Sequence, residues 1–65
     1  MKYYFYKASI DINMERKIEI SGVVEYANPV DAFDGIAKYI KRKIKETDKT
    51  ANEENFSITH LERIT

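Results

Sequence analysis

Two segments near the start of the chain alternate between apolar and polar residues, as half-buried β-strands do. In residues 2–13 the even positions form an apolar row: Tyr4, Tyr6, Ala8, Ile10 and Ile12. In residues 17–26 the even positions carry a second row: Ile18, Ile20, Gly22, Val24 and Tyr26. The pattern predicts two strands, each with one face towards a core and one towards solvent.

The shared parity of these rows restricts how the two strands pair. If both apolar faces lie on one side of an antiparallel sheet, even residues oppose even residues, for example Ile12 with Ile18 and Ile10 with Ile20. The connecting turn then holds an odd number of residues. We place it at residues 14–16, or at residues 13–17 if it is longer by one residue on each side.

A helix start follows the second strand. Asn28 is a capping residue, Pro29 suits the first helical position because its missing N–H has no partner there, and Asp31 puts negative charge in the first turn. The helix is predicted to run to about Glu46. Its apolar stripe, at spacings of three and four, comprises Val30, Phe33, Ile36, Ala37, Ile40 and Ile44.

The remainder of the chain predicts one loop and one strand. Residues 47–55 are polar and without periodicity, which indicates a loop. Residues 56–64 alternate as far as Ile58 and change phase at Leu61, which indicates a strand with a bulge or a frayed end.

These elements predict an α+β fold of ββαβ type over residues 1–65, as a single small domain. The economical arrangement is a three-stranded antiparallel sheet of order 2-1-3 with one helix packed on its even face. The predicted core comprises Tyr4, Tyr6, Ile10, Ile18, Ile20, Val24, Phe33, Ile36, Ile40, Ile44, Phe56 and Ile58.

Composition narrows the class of protein. The chain has 65 residues, eleven Lys plus Arg against eleven Asp plus Glu, and no cysteine. A balanced charge favours neither nucleic acid nor membrane, and the lack of cysteine argues against a disulfide scaffold and for a cytoplasmic location. The first dozen residues are too often interrupted by polar groups for a signal peptide or a membrane span. So small a core also favours a homodimer.

The parity leaves apolar residues on the sheet face opposite the helix. Tyr3 and Phe5 lie there in the middle, with Val23 on one flank and, if the last strand keeps its parity, Leu61 on the other. Because three strands contribute to one spot, we expect Tyr3, Phe5, Val23 and Leu61 to bind a protein partner or a second copy. Pairing at a sheet edge is the alternative route to a dimer.

Residues for chemistry are scarce, so we predict no enzyme, no catalytic or metal site, no cofactor and no small-molecule substrate. His60 is the single histidine, and we interpret it as an exposed residue on a terminal strand, where Glu62 allows a local hydrogen bond. Glycine occurs only at Gly22 and Gly35, so the sequence contains no glycine-rich phosphate-binding motif. The sequence does not explain Gly35 inside the predicted helix, although a glycine there would allow a close approach to the sheet.

The alternative function is a nucleic-acid-binding accessory protein. Its candidate residues are the cations in the C-terminal half of the helix, Lys38, Lys41, Arg42 and Lys45. Cations near a helix C-terminus are also explained by the helix dipole, and the aromatic Tyr3 and Phe5 lie on the opposite side of the fold. Nucleic acid is therefore the less favoured partner.

The hairpin followed by a capped helix resembles the small domains of HicB-type antitoxins. In that pattern a Gly-Cys turn joins hairpin and helix, whereas this chain has Tyr26-Ala27-Asn28-Pro29. The size and the lack of motifs resemble those of short phage-encoded accessory proteins. These resemblances imply no particular residue roles here.

Overall fold

The computed structural model describes residues 1–13 and 16–64. The chain forms β1 (Lys2–Asn13), β2 (Arg16–Tyr26), α1 (Pro29–Thr47) and β3 (Phe56–Arg63). The strands make one antiparallel sheet in the order β2-β1-β3, and the helix packs on one face of it. The predicted ββαβ fold and its strand order are confirmed.

β1 and β2 pair even to even, as their shared parity predicts. Ile10 opposes Ile18, and Ala8 opposes Ile20. The sequence suggested two other pairs, Ile10 with Ile20 and Ile12 with Ile18. This prediction was wrong, because the observed register is shifted by two residues. The error leaves every side chain on its predicted face, because a shift of two residues preserves parity.

An irregularity near the end of β1 accounts for the shift. Asp11 opposes Lys17, and after a change of register Asn13 opposes Arg16. Arg16 therefore belongs to β2 and not to the turn. The prediction of an odd number of turn residues assumed an unbroken register between the strands, and the change of register means that this assumption does not hold. Met14 and Glu15, the other residues assigned to the turn, lie outside the described residues.

The helix begins as its sequence predicts and ends one residue later than expected. The Asn28 side-chain oxygen accepts a hydrogen bond of 2.8 Å from the backbone N–H of Asp31. Pro29 occupies the first turn, and the last turn ends at Thr47. At that end the backbone N–H of Asp48 donates to the carbonyl of Ile44 over 2.9 Å. Both termini thus give partners to backbone groups that a helix end leaves open.

The core lies between α1 and the even face of the sheet. Its buried members are Tyr4, Tyr6, Ala8, Ile10 and Ile12 of β1, Ala32, Ile36, Ile40 and Ile44 of α1, and Ala51. The prediction that Phe33 and Val30 lie on the buried stripe was wrong, because they are 49% and 70% exposed. Ala32 takes the buried place instead, one helical turn before Ile36, and its small side chain lets the helix approach the sheet closely.

Gly35 is required by a tyrosine of the second strand. A Cβ atom built at Gly35 would overlap the hydroxyl and the ring of Tyr26. The Tyr26 side chain therefore lies directly on the helix backbone, in the space that any larger residue at position 35 would fill. This contact accounts for the glycine in the helix interior, and the group that occupies the space beside it is a tyrosine side chain and not the backbone of the sheet.

Candidate interaction surfaces

The sheet face opposite the helix carries a small apolar cluster. Phe5 opposes Val23 across β1 and β2, and Tyr3 lies two residues before Phe5 on the same face. Tyr3 is 45% exposed, Val23 is 56% exposed and Phe5 is half-buried. We call Tyr3, Phe5 and Val23 the contact cluster. Their placement on the open face agrees with the sequence prediction.

Leu61 does not belong to this cluster. The register between β1 and β3 shifts between Lys7 and Ala8, so that Lys7 opposes His60 whereas Ala8 opposes Ile58. The extra residue reverses the parity of the following positions, and Leu61 opposes Tyr6 and packs against the core. The predicted place of Leu61 on the open face was therefore wrong.

The same shift brings His60 and Glu62 to the open face, opposite Lys7 and Phe5. The His60 ring meets the ring of Phe5 edge to face, with centroids 6.0 Å apart. His60 Nε2 lies 3.3 Å from a carboxylate oxygen of Glu62, which is the local hydrogen bond that the sequence predicted. Both side chains are substantially exposed, so the pair borders the contact cluster on its β3 side.

Charged residues surround the contact cluster. Among the described residues of the open face, the cations are Lys7 and Lys17, and the anions are Asp11, Glu19, Glu25 and Glu62. Anions outnumber cations on this face. In this respect the face differs from the basic surfaces that are typical of nucleic-acid-binding proteins.

Lysine side chains in the C-terminal half of the helix contact the loop that follows it. Lys41 forms an ion pair of 3.3 Å with Glu54. The ammonium group of Lys45 donates to the carbonyl of Ala51 over 3.1 Å and to the carbonyl of Lys49 over 3.4 Å. Two of the four cations proposed for nucleic acid thus have structural contacts. For Lys38 and Arg42, which are exposed, nucleic-acid binding stays a prediction.

The loop itself has an ordered beginning. The carboxylate of Asp48 accepts hydrogen bonds from the backbone N–H and the hydroxyl of Thr50, over 2.9 and 2.7 Å. Both hydrogen bonds lower the pKa of Asp48 below its usual value, and the bond from the Thr50 hydroxyl has the larger effect. The backbone N–H of Asp11 donates to the carbonyl of Asn55 over 2.9 Å, which fixes the end of the loop to β1.

An apolar groove runs between α1 and β2. One part, of about 130 Å³, has a lining that includes Ile18, Ile20, Tyr39 and Ile44. A second part is lined by Val24, Tyr26, Gly35 and Tyr39, so Tyr39 contributes to both. On the helix side of the sheet, the apolar residues of β2 are half-buried, whereas those of β1 are buried. Sequence reasoning missed this groove, because it assigned Ile18 and Ile20 to the core without a measure of how far the helix covers an edge strand.

Comparison with known proteins identifies no relative of this chain. No family model matches the chain, and no match was found among the curated proteins or the solved structures. Within the described part of the chain, the helix is not long and apolar enough to cross a membrane.

Proposed function

We propose that this chain is a small non-enzymatic protein-binding module that contacts its protein partner through the open sheet face. The contact cluster is the observation that carries the proposal. Tyr3 and Val23 are about half exposed although the fold has a separate core on the other face of the sheet. Apolar side chains from two adjacent strands, gathered in one place outside the core, are typical of a binding surface.

The size of the contact cluster sets the strength of the contact. Covering a half-exposed tyrosine and a half-exposed valine contributes roughly 1 to 2 kcal/mol each before the cost of association. A cluster of this size supports a weak, reversible contact, or one part of a larger interface. Association with a second copy also suits a chain of 65 residues, because a small core alone gives little stability.

Homotypic association is the form of this function that the purified protein can test. Tyr3→Ser removes an aromatic ring of the contact cluster from the central strand. Phe33→Ser is the matched control, because Phe33 is exposed to nearly the same extent, 49% against 45%, but lies on the helix. In sedimentation over a concentration series, we expect Tyr3→Ser to weaken association several-fold and Phe33→Ser to leave it unchanged.

Two outcomes would contradict the proposal. One is a protein that stays monomeric at millimolar concentration and shows no difference between wild type and Tyr3→Ser. The other is association that Phe33→Ser weakens as much as Tyr3→Ser does, because the contact would then not depend on the open face.

A cytoplasmic location is part of the proposal. The chain contains no cysteine, and small domains of oxidising compartments commonly use disulfides for stability. The core of this domain is made of tyrosine, isoleucine and alanine side chains instead.

A further inference from the structure

β2 is an edge strand that is long and regular. It pairs with β1 on one side only, and the ladder between them runs from Tyr26 to Lys17 without a shift of register. β3, the other edge, has eight residues and contains the bulge opposite Lys7 and Ala8. Bulges and short length protect an edge from pairing, so β2 is the better edge for another strand.

The apolar groove lies directly beside this edge. Ile18 and Ile20 point towards the helix, yet they remain half-buried because no strand lies on their outer side. A strand added to β2 would supply its own apolar row next to theirs, together with backbone hydrogen bonds.

We propose that β2 pairs antiparallel with β2 of a second copy, with Ser21 of each copy at the two-fold axis. Directly opposed residues must face the same side of the sheet, so a symmetric pair can be centred on a residue but not between two residues. Centred on Ser21, Arg16 opposes Tyr26 of the second copy, and all eleven residues of β2 find a partner.

Charge selects this register over its neighbours. Centred on Ser21, Lys17 opposes Glu25 of the second copy, and symmetry makes the pair twice. Centred on Gly22, Glu19 would oppose Glu25, which gives two like-charge pairs. Centred on Ile20, Lys17 would oppose Val23 and the ion pairs are lost. Within the described part of the chain, neither Lys17 nor Glu25 takes part in an ion pair.

The same register continues the apolar rows on the helix side. Ile18 opposes Val24 of the second copy and Ile20 opposes Gly22, so the two grooves join at the axis. The result is a six-stranded sheet with both helices on one face and both contact clusters on the other. This inference rests on the proposed function only in taking a second copy as a partner, since the surface it uses is different.

A single introduced cysteine tests the geometry, because the chain has none of its own. Opposed Cα atoms in an antiparallel pair lie roughly 4.5 to 5.5 Å apart, within the range of a disulfide. With oxidised glutathione as the acceptor of the two electrons, we expect Ser21→Cys to form a covalent dimer at least about tenfold faster than Ser57→Cys. Ser57 is the matched control, an exposed serine on the same face but on the other edge strand. Equal rates for the two variants would overturn the proposal.

A charge exchange tests the register. Lys17→Glu alone places two like-charge pairs at the interface, and we expect it to weaken dimerisation roughly tenfold. Lys17→Glu with Glu25→Lys restores the opposite pairs and should restore wild-type affinity. Lys38→Glu, which changes an exposed lysine on the helix and touches neither proposed surface, is the control and should have no effect. Failure of the double variant to restore dimerisation would exclude the register centred on Ser21.

The experiments distinguish association through the open sheet face from pairing through β2. If only the open face self-associates, Tyr3→Ser weakens association, and Ser21→Cys crosslinks no faster than Ser57→Cys. If only β2 pairs, the cysteine and charge results hold and Tyr3→Ser has no effect. Each experiment therefore reports on its own surface.

Discussion

Replacing Gly35 by alanine tests the contact between the helix and Tyr26. In an ordinary helix interior this change is stabilising by about 1 kcal/mol, because alanine has the higher helix propensity. Here the added Cβ would overlap the ring and hydroxyl of Tyr26, so the ring has to move away from the helix. Loss of its packing costs roughly 1 to 2 kcal/mol, and displacement from its preferred rotamer adds about 1 kcal/mol.

The sum predicts that Gly35→Ala destabilises the wild-type protein by roughly 1 to 2 kcal/mol. Tyr26→Ser removes the obstacle, and in that background the same substitution should stabilise by about 1 kcal/mol. The two changes thus have a coupling free energy of roughly 2 to 3 kcal/mol, and the effect of Gly35→Ala reverses its sign.

Urea denaturation followed by far-ultraviolet circular dichroism measures all four members of this cycle. The single and double variants are compared at one temperature, with slopes checked for two-state behaviour. Stabilisation by Gly35→Ala of equal size in both backgrounds would refute the reasoning, because it would show that the Tyr26 ring does not constrain position 35.

Substitutions at three further positions test the helix cap, a buried hydroxyl and a titrating tyrosine. Asn28→Ala should cost about 1 kcal/mol in the free energy of unfolding, because the Asp31 N–H loses its acceptor; Asn28→Asp, which keeps one, should cost little. The Tyr4 hydroxyl is buried without a hydrogen-bond partner among the described residues, so Tyr4→Phe should leave urea stability unchanged or raise it by up to about 1 kcal/mol. Burial, and secondarily Tyr39, raises the pKa of Tyr6 above its usual value of 10.0. The contribution of the neutral Tyr6 hydroxyl to the free energy of unfolding is therefore complete below pH 10.0, and it is lost as the pH rises through the folded-state pKa. Urea denaturation at a series of alkaline pH values should show a smaller decrease in the free energy of unfolding for Tyr6→Phe than for wild type.

The sequence predicted the sheet well because β1 and β2 have a clear period of two. Side-chain parity depends on the backbone alone, so Phe5 and Val23 were placed on the correct face. Parity failed in β3, where Leu61 lies on the core side of the sheet and not on the open face expected for it. A bulge changes the count by one residue, and its place depends on how the strand packs.

The helix shows a second limit of pattern reasoning. The spacing of apolar residues favoured Phe33 as a core residue, yet the buried position belongs to Ala32. Alanine carries little weight in a hydrophobic pattern, but its small size lets a helix approach a sheet. The contact of Gly35 with Tyr26 was only half foreseen, because the sequence marks a glycine without naming the side chain that needs its space.

The most direct test of the proposed role is a concentration series of amide and aromatic nuclear magnetic resonance spectra of the wild-type protein. From micromolar to millimolar concentration, we predict that shifts and line widths change at Tyr3, Phe5 and Val23 and along the outer edge of β2. Signals of Lys38 and Arg42 on the exposed helix face should stay constant. Spectra that do not change with concentration, or changes confined to the helix face, would contradict a protein-binding module that uses its sheet.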